Sequence, residues 1–362
     1  MGAYTTIDDP SAHFQATAYS GAGASTTVTN GGNSDLKPDW LWIKNRTGAY
    51  AHALFDSNRG LGSSSPPMLE SDSTAVENAN QNWISAVGTD GFTIGVNEHN
   101  LSNSSSEYVA WQWKGAGGTT ASNSNGSITS TVQANTTAGF SIVTYTGTGS
   151  VATVGHGLGV KPDMMILKNR DSAVNWIVFH KDINTSANYF LRLNTTDATQ
   201  YSGGRFNGTQ PTSSVFTVGT SSQTNNNGDD IVAYCFASKQ GYSKFGQYIG
   251  NGNSGNTGAF VFTGFKPNFV MLRETGNSNS WWMFDTARDT YNTADARLVA
   301  NTTAAEATGS FTDVVNFLSN GFKIKNSDSA WNRSGGTYIY MAFAENPFVT
   351  SDDGGSIPTT AR

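Results

Sequence analysis

The chain writes one sentence three times: LKPDWLWIKNR at Leu36–Arg46, VKPDMMILKNR at Val160–Arg170 and FKPNFVMLRET at Phe265–Thr275. Each has a Lys-Pro pair, a short polar residue, four apolar residues and a basic residue. Pro fixes φ and offers no N–H, so it suits the first residue of a strand rather than its middle. The run that follows (Trp40 to Ile43, Met164 to Leu167, Phe269 to Leu272) is apolar at every position. A strand with that pattern is buried on both faces, and the run is too short for a helix.

Reading outward, each sentence is preceded by an aromatic on a short strand and a Gly-rich turn: FQATAYSGAG from Phe14, FSIVTYTGTG from Phe140 and FGQYIGNG from Phe245. Each is followed by a strand with an aligned phenylalanine (Phe55, Phe179, Phe284), by a third strand, by an alternating segment (Phe92, Phe216, Phe322) and by a closing strand. Every repeat therefore has roughly a hundred residues, enough to close its own core. The expectation is an all-β protein of three tandem antiparallel β-sandwich domains of jelly-roll or lectin-like type. Residues 1–13 read as an N-terminal arm and 14–114 as the first repeat. Residues 115–139 read as a Gly/Ser/Thr/Asn-rich linker, 140–240 and 241–348 as the second and third repeats, and 349–362 as a polar tail. The linker reads as a flexible tether or as an extended segment lying on a neighbour.

With 21 basic and 27 acidic residues the net charge is −6, and no basic cluster marks a nucleic-acid face. No run is apolar enough to cross a membrane, and no secretory leader is visible, so no membrane insertion is expected. The single cysteine, Cys235, lies in an apolar run and reads as a small core residue. The histidines, 13, 52, 99, 156 and 180, never fall at metal-ligand spacing, and no metal or other cofactor is expected. His156, in Gly-His-Gly-Leu-Gly, reads as a turn histidine bonded to backbone rather than as a base. Asp56 and Asp285 recur as Phe-Asp-x-x-Arg. That is half of a glycosidase pair in one reading and a turn cap with a local ion pair in the other, which is the commoner use. No catalytic residue is assigned. Most tryptophans lie in strands and read as core. Trp331 differs, because it stands in the polar stretch Ser329–Ser334, and with Asn332 and Arg333 it is the candidate ligand contact.

The sentence F-x-x-x-x-Y-T-G-T-G, H-G-L-G-V-K-P-D-M-M-I-L-K-N-R and N-x-x-G-x-x-x-V-A-Y-C-F, with the closing Tyr340–Glu345, resembles tandem-repeat virion proteins of marine tailed phages, cyanophages among them. The resemblance runs from about Thr5 to Arg362, and the first repeat departs most, since it lacks the His-Gly-Leu-Gly turn. It carries over no catalytic or binding residues. It implies a non-enzymatic virion protein, made in the host cytoplasm and partnered by other virion proteins. The expected role is a tail-fibre or receptor-binding component contacting host surface glycans. The alternative is a capsid decoration or head-fibre protein docked on the shell through its arm or linker, and a glycan-cleaving enzyme is a further competitor. No coiled-coil heptads are present. A homotrimer built on β contacts, or a monomer whose three repeats fit a three-fold site, are both open.

Overall fold

In a computed structural model the described residues are 4–79, 82–95, 100–309 and 313–350; His99 and nearly all of the expected tail lie outside them. The protein is all-β. The first repeat comprises β1 (Phe14–Ser20), β2 (Thr26–Val28), β3 (Trp40–Asn45), β4 (Ala53–Asp56), β5 (Ile84–Val87), β6 (Phe92–Ile94) and β7 (Glu107–Trp113). Between the first and second repeats come β8 (Ala121–Asn123) and β9 (Ser130–Asn135). The second comprises β10 (Phe140–Thr146), β11 (Ala152–Gly155), β12 (Met164–Asn169), β13 (Ile177–His180), β14 (Tyr189–Arg192), β15 (Gln200–Tyr201), β16 (Val215–Val218), the single-turn α1 (Ser222–Asn225) and β17 (Asp230–Phe236). The third comprises β18 (Ser243–Ile249), β19 (Phe260–Phe262), β20 (Phe265–Glu274), β21 (Trp282–Asp285), β22 (Leu298–Val299), β23 (Val315–Leu318), β24 (Gly321–Ile324), α2 (Ser329–Asn332) and β25 (Thr337–Pro347).

Each repeat builds a large and a small antiparallel sheet. The large sheets run β1-β7-β3-β4, β10-β17-β12-β13-β14 and β18-β25-β20-β21-β22, so the Lys-Pro strand always lies between the closing strand and its successor. The small sheets are β2-β6-β5, β11-β16 and β19-β24-β23. One face of each large sheet covers its own small sheet. Leu41 and Ile43, Met165 and Leu167, and Val270 and Leu272 point into these three separate cores.

The alternate residues Trp40, Trp42, Met164, Ile166, Phe269 and Met271 point the other way, into a fourth core shared by all three repeats. Six of the nine tryptophans (40, 42, 111, 113, 176 and 281) sit there. This is why the quoted stretch is apolar on both faces: one serves a sandwich and the other the common centre. The sandwiches are therefore not independent beads, since separating them would expose the apolar outer face of every large sheet.

Two expectations change. Residues 115–139 are not a tether: β9 pairs with β10 along Thr131 to Asn135, β8 pairs with β9, and the second large sheet is extended to eight strands. The arm is also docked, with Ile7 in the central core, Tyr4 donating to the Gly264 carbonyl and the Thr5 hydroxyl to the Gln240 carbonyl. The alignment shifts as well. Phe14 and Phe140 face Trp113 and Phe236, whose counterpart Phe343 faces Ser243; Phe245 is the equivalent of Ala16 and Ile142. The landmark that recurs in register is the next-to-last residue of each of these strands, Tyr19, Tyr145 and Tyr248.

Candidate binding cleft and the seams that frame it

The repeats close on one another in a cycle. The backbone N–H of Glu77 donates to the Arg170 carbonyl, that of Thr199 to Thr275 and that of Glu306 to Arg46, at 2.8, 2.9 and 2.8 Å. A second set repeats the cycle. Trp176 Nε1 donates to the Glu70 carbonyl (2.8 Å), Trp281 Nε1 to Arg192 (2.9 Å) and His52 Nε2 to Val299 (3.1 Å). His52 accepts from Trp42 Nε1 through Nδ1, which fixes the proton on Nε2. Its complete burial holds its pKa well below the ordinary value, so it stays neutral. Equivalent contacts recurring from repeat to repeat and returning to the first define a closed ring with pseudo-threefold symmetry.

Two of the three seams carry a buried ionic circuit. Asp56 caps the turn after β4 through the Arg59 N–H and pairs with the Arg59 guanidinium at 2.5 Å, both side chains fully buried. Across the seam the Tyr234 hydroxyl donates to the same carboxylate (2.7 Å), and Glu77 joins Arg59 to Arg170. Burial alone would push the Glu77 carboxyl up, but bonds from Arg170 and the charge of Arg59 outweigh it and hold the pKa below its usual value. The third seam repeats the design: Asp285 pairs with Arg288, Trp111 Nε1 donates to Asp285 (3.0 Å), and Glu306 joins Arg288 to Arg46. Glu306 is likewise pushed up by burial and held down, net, by its two arginines. The aspartates of the Phe-Asp-x-x-Arg motif are thus turn caps with local ion pairs, sealed from solvent and unlike a glycosidase acid. His156 is a turn histidine, donating to the Thr212 carbonyl and accepting from the Leu158 N–H. Cys235 is fully buried, and burial pushes its thiol up to about 12.

The expected contact at Trp331, Asn332 and Arg333 is corrected. Trp331 is fully buried in the third sandwich, packed edge-on against Trp282 with ring centroids 5.1 Å apart. Its polar neighbours form α2, a helical turn whose inner side faces the core. Asn332 is buried too: its amide bonds the Asn253 carbonyl (2.7 Å), and its oxygen accepts from the Asn251 N–H (2.9 Å), tying two loops. Asn225 does the same in the second repeat, bonding the Ser150 and Gly219 carbonyls. The shared Ser-x-x-Asn was the sequence signal for a staple. Arg333 alone is partly exposed, and it pairs with Glu274.

A different place gathers polar residues. At the third seam a cleft of about 520 Å³ opens between β1 and the third repeat. Gln15, Thr17, Asn33, Asn268, Thr286 and Asn346 are among the residues lining it. Asn268 occupies the position after Lys-Pro, where the other repeats have aspartates. Asp39 accepts from the Gly115 and Gly117 N–H groups and Asp163 from Ser238, each holding the chain that leaves its closing strand. In the third repeat β25 runs straight on to Pro347, and Asn268 becomes the extra residue of a β-bulge in β20. Asn268 lines the cleft, while its side-chain oxygen lies beneath the surface with no hydrogen-bond partner among the described residues. Sequence reading passed over it because the substitution of Asn for Asp at one of three equivalent positions looks conservative.

A domain of unknown function, DUF7483, matches residues 9–347, and the chain belongs to that family. The family's unit spans all three repeats, in keeping with their common core. No curated protein and no solved structure matches.

Proposed function

We propose that the protein is a non-enzymatic virion component, a tail-fibre or other receptor-binding protein whose third-seam cleft takes a host-surface glycan. The observation that carries this reading is the cleft. Amide and hydroxyl residues line it, Asn268 among them, and groups of that kind are what meet the hydroxyls of a sugar. The resemblance to phage tandem-repeat proteins supplies the setting. Glycan-array binding by the full chain tests it, with Asn268→Ala expected to weaken the best ligand about tenfold, the equivalent of roughly 1.4 kcal/mol. No binding across a broad glycan and host-cell panel would remove the reading.

A second reading, a capsid decoration protein, is favoured by one observation. The ring of three repeats gives a single chain the symmetry of a three-fold site. Its arm and its second-repeat extension are occupied on its own body, so shell contacts would fall to the outer sheets and loops. Copy number against the major capsid protein, by quantitative mass spectrometry of purified particles, separates the two. A tail-like number supports receptor binding, and a capsid-like number supports decoration.

A further inference from the structure

The flank of each sandwich is where the first strand of the large sheet and the first strand of the small sheet both present an edge. In the second repeat the chain covers this flank itself. β9 adds antiparallel to β10, with Thr131 opposite Thr144 and Gln133 opposite Ile142. Just before it, Ile128 bridges β11: its N–H donates to the Thr153 carbonyl (2.9 Å), Ser127 and Thr153 exchange hydrogen bonds, and the Ser130 hydroxyl donates to the Gly155 carbonyl (2.7 Å). The turn after β4 of the first repeat braces the covering strand. Asn58 donates to the Thr131 and Ile142 carbonyls, and Gln133 donates to Ser57.

The same flank of the third repeat has the same frame, and among the described residues only its start is covered: Ser243 exchanges backbone bonds with Lys239, and the Phe245 N–H donates to the Ser238 hydroxyl, so the edge is open from Gln247 onward. β18 and β19 are terminal strands of their sheets. Lys181 and Asp182, equivalents of Ser57 and Asn58, stand beside a groove of about 350 Å³ between these edges. Gln247 lies opposite Ile339 as Thr144 lies opposite Val232, so it holds the place that β9 covers in the second repeat. Val261 lies opposite Phe322 as Val154 lies opposite Phe216, which makes Phe260 and Phe262 the counterparts of Thr153 and Gly155. Both phenylalanines are exposed, at 48% and 51%. The first repeat has Thr27 and Thr29 there, which are polar. Lys244 donates to the Phe262 carbonyl (2.7 Å), the bond that Ser130 makes to Gly155, and so holds that end of the groove in shape. An open pair of strand edges beside two exposed phenylalanines is a liability in a free protein and a recognition surface when a strand is expected.

We propose that the third repeat's flank binds an extended segment of a partner polypeptide, which adds as a strand to the open part of β18, from Gln247 onward, as β9 adds to β10. The internal example defines the partner's chemistry. β9, STVQAN, is uncharged, made of small and amide side chains, and carries the β-branched Val132 on its inner face. The partner segment shares that character and sets apolar side chains on Phe260 and Phe262.

The test uses the full chain and a fluorescein-labelled peptide of residues 127–136, with anisotropy as the readout. Saturable binding is expected. Gln247→Pro removes an edge N–H at an exposed position where Pro is tolerated, and should weaken binding at least tenfold with the melting temperature unchanged. Phe260→Asp, also on the surface, should do the same without touching the backbone. Absence of saturable binding at millimolar peptide overturns the proposal. So does binding that neither variant changes, which would place the peptide on another edge. Self-association of the chain through this flank, seen by sedimentation and abolished by the same variants, would overturn it in favour of a second copy as occupant.

Discussion

The first and second seams perform the same task with different chemistry. At the first, Asp56, Arg59, Glu77 and Arg170 form a buried circuit closed by the Tyr234 hydroxyl. At the second, His180 and Ile183 stand where Asp56 and Arg59 would be, and Thr199 and Thr275 replace the outer Glu–Arg pair. The residue opposite explains the swap. Tyr234 and Trp111 offer a donor to a carboxylate, whereas their counterpart Met341 offers none. His180 instead donates through Nε2 to the Tyr340 carbonyl (3.3 Å) and accepts from the Asp182 N–H through Nδ1. The charges therefore appear or disappear as a set. A buried carboxylate is kept only where an arginine and a cross-seam donor are both present, since either alone would leave it under-compensated.

Breaking one member of the ionic set should have the largest effect. Arg59→Ala leaves Asp56 fully buried with no cation, only the backbone N–H of residue 59 and the Tyr234 hydroxyl, and a cost of about 3–5 kcal/mol is expected in chemical denaturation. Arg288→Ala should match it at the third seam. A loss below about 1 kcal/mol in either would mean that water reaches the carboxylate and the circuit is not closed.

The second seam should instead fail in acid. Burial first, and then the charge of Lys181, lower the His180 pKa from 6.5 to about 4, against the Tyr340 bond and the Asp163 charge, which raise it. Below pH 6.5 the unfolded chain takes up a proton that the folded chain refuses until about pH 4. Stability from this group is thus complete above 6.5 and lost as pH falls between those values, by roughly 3 kcal/mol at about 1.4 kcal/mol per unit. His52 and His156, also held low by burial, add to the same loss. The isolating measurement is the stability difference between pH 7 and pH 4.5 in wild type and in His180→Gln. The variant should lose roughly 3 kcal/mol less, and equal losses would remove His180 from the account.

Much of this was written in the Lys-Pro strands. Their unbroken apolar runs disclosed burial on both faces, and the threefold repetition disclosed three similar units. The runs did not say that the second face meets the other repeats rather than a partner, because Trp40 reads the same against either. β9 was hidden for a related reason. Its small polar residues look like linker in isolation, and its order comes from Asn58 and Gln133 reaching across a seam that no local pattern encodes. Trp331 misled in the opposite direction, since the Ser, Asn and Arg around it describe the outer side of a single helical turn. Asn268 was visible only by comparing three equivalent positions and asking what the two aspartates hold.

The covered and open flanks differ by a smaller margin. Gly126 lies where a Cβ would meet the Thr153 carbonyl oxygen at 2.3 Å, so Gly126→Ala must lift the covering segment from β11. An overpacking cost of about 1–3 kcal/mol is expected, confined to this flank. Hydrogen exchange would show it, with the Ile142 and Thr144 amides losing protection. The Gln247 amide at the open flank should exchange fast in both proteins. Slow exchange at Gln247 in the wild type would mean that the third flank is already covered.

The last comparison is between two buried tyrosines. Tyr234 spends its hydroxyl on Asp56 across the first seam. Tyr242 is equally buried in the central core, edge-on to Phe343 at 5.8 Å, but its hydroxyl has no partner among the described residues. The ring stabilises the core in both cases, so removing only the oxygen isolates the polar term. Tyr234→Phe deprives a buried carboxylate of a donor and should cost about 1.5–3 kcal/mol, as loss of a bond to a charged group does. Tyr242→Phe removes an unsatisfied group and should raise stability by about 1 kcal/mol. Opposite signs from one chemical change, read as shifts in denaturation midpoint, would separate the polar bonds that hold the ring together from the apolar contact that merely fills it. Destabilisation by Tyr242→Phe would instead reveal a water or a partner group at that hydroxyl, and would make the central core wetter than its tryptophans suggest.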